Sequence, residues 1–117
     1  MTRNDARAAF AATGLAYADL TRDDLRALRN SIDKELKASG LIEGYRSDLA
    51  IRMVKWPTGW AAITCSTYYF EKREAVTFGP DGFIGFGGWA DDKNVVPIIT
   101  GFLKWIDALV DRRRIAA

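Results

Sequence analysis

The sequence predicts an α+β protein in which two N-terminal helices precede a four-stranded antiparallel meander and a long C-terminal helix packs on one sheet face. Apolar residues recur at intervals of three and four between residues 20 and 40 and again after residue 95. Between these regions, short segments rich in β-branched and aromatic residues alternate with turn signals. The segments follow one another too closely for the long crossovers that parallel neighbours need, so the sheet should be antiparallel.

Length and composition favour one compact domain over residues 1–117. The chain is 49% hydrophobic and 27% charged, which is typical of a globular protein that buries its own core. Its 17 Lys and Arg against 15 Asp and Glu give a net charge of +2, which is too small to attract nucleic acid over long range. A protein that mimics DNA would instead need a large excess of carboxylates. No apolar run approaches the roughly 20 residues of a membrane span. A single cysteine, Cys65, favours a cytoplasmic location and a core position for the thiol.

The first predicted helix covers residues 4–13. Asn4 is the expected N-cap, because its short side chain can accept a hydrogen bond from the first turn. Thr13 and Gly14 are the expected stop.

The second predicted helix begins after Thr21, an expected N-cap with Asp24 three residues on, as in a capping box. Leu20 and Leu25 occupy the two positions of a hydrophobic staple, and Gly40 should end the helix. The apolar stripe of this helix consists of Leu25, Leu28, Ile32 and Leu36.

Four strands are predicted in the middle of the chain, over residues 49–56, 60–70, 75–79 and 83–89. Turns are expected at residues 57–59 and 80–82, and the charged residues 71–74 should form a hairpin connection. On the longest strand, the odd-numbered residues make the better core face. The even-numbered residues are aromatic at both ends and small or polar between.

The last predicted helix runs from Val95 with an almost unbroken helical period. Asn94 or Asp92 can cap its start, and Pro97 is tolerated because it lies in the first turn. Its expected core residues are Ile98, Ile99, Phe102, Ile106 and Leu109, with Val95 and Val110 on the same stripe. The arginines at its end, Arg112, Arg113 and Arg114, suit the negative end of the helix dipole.

The glycine-rich stretch 81–92, DGFIGFGGWADD, contains a formal match to a dinucleotide-binding fingerprint at Gly85, Gly87 and Ala90. That motif needs a second parallel strand with an acidic residue after the helix, and none is predicted here. Residues 82–86 are also weakly similar to the strand motif of RNA-recognition domains. That motif begins with a basic residue, and Asp81 occupies this position here, so we discount the similarity. We therefore interpret the glycines as a thin strand against which a helix, a ring or a partner chain can lie.

Familiar catalytic sites are excluded by composition. The chain has no histidine and one cysteine, which rules out histidine-based catalysis and a cysteine zinc site. The acidic pairs Asp23-Asp24 and Asp91-Asp92 are adjacent in sequence and do not face each other as an acid/base couple would. The sequence therefore predicts no enzyme activity and no cofactor, zinc and nicotinamide included.

The aromatic residues of the sheet region carry the main functional expectation. Tryptophan and tyrosine bury a large area with few torsions to fix, which makes them frequent interface anchors. Core packing is an equally good interpretation of these rings. The candidate interaction residues are Trp60, Tyr68, Phe70, Trp89, Asp91 and Asp92.

The expected function is that of a non-enzymatic module that binds and occludes a protein partner. Small stand-alone proteins without cofactor chemistry are common on phages and mobile elements, where they often inhibit host defences, and an accessory inhibitor of this kind is therefore the expected setting. One alternative is a nucleic-acid-associated protein, and another is a small-molecule binder or unconventional enzyme with a helix–sheet pocket. Self-association as a homodimer through an open sheet face is a further expectation. The arginines available to nucleic acid are Arg22, Arg26, Arg29, Arg112, Arg113 and Arg114.

Overall fold

A computed structural model describes residues 2–15, 19–40, 49–54, 60–66, 72–79, 84–86 and 95–116. For residues 52–54, 60–62, 65–66, 72–74, 84 and 113–116 it describes the backbone alone. The elements are α1 (Arg3–Ala12), α2 (Arg22–Ser39), β1 (Leu49–Val54), β2 (Trp60–Ser66), β3 (Lys72–Phe78), β4 (Ile84–Phe86) and α3 (Val95–Ala116). Their order and type confirm the predicted α+β fold.

Helix α2 begins and ends at the residues that the sequence indicates. The hydroxyl of Thr21 accepts a hydrogen bond from the Asp24 amide at 3.1 Å, and the Asp24 carboxylate accepts one from the Thr21 amide at 2.9 Å. Gly40 ends the helix at a φ of 63°, a left-handed conformation that glycine adopts without steric cost. The stripe residues Leu25, Leu28, Ile32 and Leu36 are all buried.

The prediction that Asn4 caps α1 is wrong. Thr2 is the N-cap, and it forms a second capping box with Asp5, whose carboxylate accepts a hydrogen bond from the Thr2 amide at 2.7 Å. Two capped backbone donors in the first turn outweigh the intrinsic preference of asparagine for a cap. The pKa of Asp5 lies below its ordinary value, chiefly because its carboxylate accepts a hydrogen bond from the Thr2 backbone and secondly because of a hydrogen bond with the Thr2 side chain.

Replacing Thr21 with alanine should lower the free energy of unfolding by about 1 kcal/mol, because the Asp24 amide loses its acceptor at the start of α2. Urea denaturation followed by circular dichroism measures the change. Replacement of Lys34, an exposed residue of the same helix, by alanine is the control. A Thr21 variant no less stable than this control would show that the capping box contributes nothing.

The sheet has the predicted meander order β1-β2-β3-β4, and every neighbouring pair is antiparallel. One cross-strand row on the core face runs from Ile51 through Ile63 and Val76 to Phe86. Ile63 is buried, in agreement with the prediction that the odd-numbered residues of β2 face the core. The turn segments 57–59 and 80–82, and the ends of the predicted strands at 55–56, 67–70, 83 and 87–89, lie outside the described residues.

The predicted connection at residues 71–74 is wrong for its last three residues. Lys72, Arg73 and Glu74 belong to β3, where they pair with Ser66, Cys65 and Thr64. The register then shifts, so that Thr64 pairs with Glu74 while Ile63 pairs with Val76. Ala75 is the extra residue of this β-bulge, and it is buried beside Val76. Pairing with β2 outweighs the low strand preference of charged residues.

Helix α3 packs on α1, on α2 and on the helix-facing side of the sheet. Phe102 is fully buried, and its ring centroid lies 6.2 Å from Phe78 of β3 and 5.7 Å from Phe86 of β4. Phe10 of α1 lies 5.3 Å from Phe78 and completes the aromatic centre of the core with Trp105. The predicted core residues Ile98, Ile99, Phe102, Ile106 and Leu109 are all buried. The capping roles of Asp92 and Asn94 lie outside the described residues.

Trp105 is a core residue that the sequence pattern did not single out. It is 2% exposed, and its indole Nε1 donates a hydrogen bond to the carbonyl oxygen of Asp24 at 2.8 Å. A buried indole needs such an acceptor, since an unsatisfied donor in the core costs about 1–3 kcal/mol. This bond therefore ties α3 to the first turn of α2.

Among the described residues, no helix is both long and apolar enough to cross a membrane.

Candidate functional site

The clearest candidate site is a groove between α2 and the edge strand β1. We call it the arginine groove, and its volume is about 280 Å³. It is lined by Arg22, Arg26, Arg29, Asn30, Leu49, Ala50 and Ile51.

The helical period brings the arginines together. Arg22, Arg26 and Arg29 are separated by four and three residues, so they lie on one side of α2 over successive turns. The apolar stripe of α2 is buried in the core. This leaves the arginine side on the flank of the helix that adjoins β1.

Arg29 fixes the geometry at one end of the groove. Its Nε donates a hydrogen bond to the carbonyl oxygen of Leu49 at 3.0 Å, and its Nη1 donates one to Asn30 Oδ1 at 3.0 Å. Arg29 is half-buried, whereas Asn30 is exposed. A side chain of α2 thus reaches the backbone of β1 directly.

The other two arginines lie closer to solvent. Both Arg22 and Arg26 are exposed, and Arg26 Nη1 lies 2.9 Å from Asp23 Oδ1. The side chains of this ion pair are 59% and 83% exposed, so the pair contributes at most about 1 kcal/mol. Arg26 can therefore exchange its ion pair with Asp23 for one with the carboxylate of a ligand, with little loss of free energy.

The groove is open to solvent, because Arg22, Arg26 and Ala50 are exposed. Its lining combines guanidinium donors, an amide and the backbone of a strand at the edge of the described sheet. Guanidinium groups bind carboxylates and phosphates through paired hydrogen bonds. An extended anionic chain suits this open shape better than an enclosed small molecule does.

The remaining predicted arginines do not join this groove. Arg112 Nη2 lies 3.6 Å from Asp24 Oδ1, so it pairs with the first turn of α2. Arg113 and Arg114 lie in the last turns of α3, where the structure describes their backbone alone. The six predicted arginines therefore divide into a groove set and a C-terminal set.

The sequence-predicted interaction residues lie almost wholly outside the described part of the chain. Trp60 begins β2, where its backbone pairs with Val54. Tyr68, Phe70, Trp89, Asp91 and Asp92 lie outside the described residues, and their role as an interface stays a prediction. Two other aromatic residues of the sheet, Phe78 and Phe86, pack on Phe102 in the core.

The sheet face turned away from the helices carries small residues where the structure describes it. Ala50 pairs with Thr64, and Thr77 pairs with Gly85 and donates a hydrogen bond to its carbonyl oxygen at 3.3 Å. Thr64 is only 2% exposed, so this face is not uniformly open. A homodimer through this face stays a prediction.

The sequence places the three arginines on one face of α2, as possible contacts for nucleic acid, but it does not indicate the strand that forms the other wall of the groove. The spacing of Arg22, Arg26 and Arg29 is visible in the sequence. The position of Leu49 beside Arg29, 20 residues away, depends on how α2 packs on the sheet. No local signal in the sequence predicts that contact.

Comparison with known protein families, with curated proteins and with solved structures finds no match. Within the ranges that the structure describes, no cluster of three Cys, Asp or Glu side chains is placed to hold a metal ion.

Proposed function

We propose that the protein is a non-enzymatic binding module that holds an acidic segment of a protein partner in the arginine groove. The observation that carries this proposal is the convergence of three arginines of α2 on the edge of β1 in one open groove. Binding there would occlude the acidic surface of the partner, which is the mode of action expected from the sequence.

The charge of the groove favours an acidic ligand over a neutral one. Arg22, Arg26 and Arg29 bring three guanidinium groups to the groove, of which that of Arg26 is shared with the exposed carboxylate of Asp23. The residues that complete the described lining are Asn30, Leu49, Ala50 and Ile51, none of them acidic. Exposed ion pairs contribute only about 0.2–1 kcal/mol each. Several simultaneous contacts are therefore needed, which favours a segment that spans more than one arginine.

A nucleic acid is the second candidate ligand, because guanidinium groups bind phosphates as well as carboxylates. The described lining contains no aromatic side chain on which a base could stack, and stacking supplies much of the affinity for single strands. The small net charge of +2 also offers little long-range attraction. A protein ligand is thus the better fit.

Replacing Arg26 with glutamate should weaken binding of a fluorescent oligoglutamate peptide by about tenfold, since it removes one attraction and adds one repulsion in the groove. Fluorescence anisotropy measures the affinity. Lys34→Glu is the matched control, because Lys34 is exposed on the same helix, outside the groove lining, and the charge change is equal. Thermal melts of both variants show whether the fold is intact.

Two results would contradict this proposal. Equal weakening by Arg26→Glu and Lys34→Glu would mean that only net charge matters. Tighter binding of oligothymidylate than of oligoglutamate, with affinity that falls steeply as salt rises, would favour the nucleic-acid alternative.

A further inference from the structure

The edge of β1 is the feature of the groove that the arginines alone do not explain. β1 is the first strand in the order β1-β2-β3-β4, so only one of its sides pairs within the described sheet. Such an edge presents backbone donors and acceptors that another strand can use. The edge and the arginines line the same groove.

The bond between Arg29 and Leu49 shows which backbone groups face the groove. The Leu49 carbonyl accepts a hydrogen bond from a side chain of α2, so it points toward the groove. Backbone groups of alternate residues in a strand point to the same edge. The amide and carbonyl of Ile51, which also lines the groove, therefore face the same way as those of Leu49.

The spacing of the arginines matches that of side chains on an extended chain. Arg22 and Arg26 are four residues apart on α2, which is about 6 Å along the helix axis. Alternate residues of a strand, whose side chains share one face, lie about 7 Å apart. Acidic residues at alternate positions of an extended segment can therefore meet successive arginines.

We propose, building on the function proposed above, that the acidic segment binds by adding to the sheet as a strand beside β1. Its backbone pairs with the groove-facing groups of Ile51, and its alternate carboxylates meet Arg22 and Arg26. Arg29 occupies the carbonyl of Leu49 and so marks the end of the available edge. Main-chain hydrogen bonds supply affinity in this mode, and the alternate side chains supply specificity.

N-methylated peptides test this mode directly. The parent probe is a short blocked peptide that alternates threonine and glutamate. One isomer carries backbone N-methyl groups on its threonines, and the other carries them on its glutamates. In an added strand only one of these two sets of amides faces β1. One isomer should therefore lose affinity by about tenfold or more, while the other binds nearly as the parent does.

Hydrogen exchange on the protein gives an independent measurement. The amide of Ile51 should exchange more slowly when the parent peptide is bound. The amide of Gly85 in β4, at the opposite end of the strand order, is the matched control and should not change. No gain of protection at Ile51 under saturating peptide would overturn strand addition.

The outcomes separate this inference from the function on which it rests. Equal effects of the two methylated isomers, large or small, would overturn strand addition. If the parent peptide still bound in that case and Arg26→Glu still weakened it, the acidic-ligand function would stand. If neither the alternating threonine–glutamate peptide nor oligoglutamate bound, both proposals would fail.

Discussion

Replacing Phe102 with alanine should lower the free energy of unfolding by about 3–5 kcal/mol, the range typical of a buried aromatic residue. Phe102 is fully buried and lies against Phe10, Phe78, Phe86 and Trp105. Its removal therefore opens a cavity where α1, α3 and the sheet meet. Because small domains are stable by about 5–15 kcal/mol, this one change should remove a large share of the total.

Urea denaturation of Phe102→Ala measures this loss, and Phe102→Leu provides a milder variant if the alanine protein does not fold. Val96→Ala is the control on the same helix, because Val96 is 57% exposed and its truncation should change stability by less than about 0.5 kcal/mol. A loss below about 1 kcal/mol for Phe102→Ala would show that α3 does not pack on the sheet in solution.

Replacing Gly101 with alanine should destabilise the protein by about 2 kcal/mol, although alanine is the better helix former by about 1 kcal/mol. A Cβ atom at Gly101 would lie 2.7 Å from the Cα of Ile32 and 2.9 Å from the carbonyl oxygen of Ser31. Both are backbone atoms of α2, so no side-chain rotation relieves the clash. The helices would have to move apart, which also stretches the 2.7 Å bond from the Ser31 hydroxyl to the Gly101 carbonyl.

The reverse substitution at an exposed position of α3, Ala108→Gly, controls for helix propensity. It should cost about 1 kcal/mol, with no packing contribution. Chemical denaturation of both variants compares the two effects. A Gly101→Ala protein more stable than the parent would mean that α2 and α3 are not in backbone contact at this crossing.

The helices were largely predictable because their signals are local. The Thr21 and Asp24 pair and Gly40 mark the ends of α2, and the apolar period marks its buried face. The same spacing of threonine and aspartate occurs at Thr2 and Asp5, whereas residue preference alone favours Asn4 as the cap. A rule that favours reciprocal hydrogen bonds over single-residue preference would have found the right cap.

The strands were less predictable because their limits depend on partners elsewhere in the chain. Lys72 and Arg73 look like turn residues by themselves, yet β2 lies beside them and pairs with their backbone. The bulge at Ala75 leaves two neighbouring residues buried, which breaks the alternation on which strand prediction relies. Three-dimensional pairing, not composition, sets both features.

Only the arginines of the candidate site could be predicted from the sequence, because the contact of α2 with β1 depends on three-dimensional packing. The arginine row is a property of one helix and can be seen in its spacing. Its meeting with Leu49 and Ile51 follows from how α2 packs on the sheet. The aromatic hypothesis had no such local rule to support it. Phe78 is buried in the core and Phe86 is half-buried against Phe102, whereas the interface role of the candidate rings stays a prediction.

The contact between α2 and α3 has a consequence for how the chain acquires its structure during synthesis. Ser31 and Gly101, which meet at this contact, are 70 residues apart, whereas each strand of the meander pairs with its immediate neighbour in sequence. Local pairings close first, because joining distant segments costs more chain entropy. While the ribosome is still making the strands, the apolar stripe of α2 has no α3 to cover it. The nascent protein should therefore leave Ile32, which lies against Gly101, exposed until α3 emerges, and this is the stage at which a chaperone would be of most use to it.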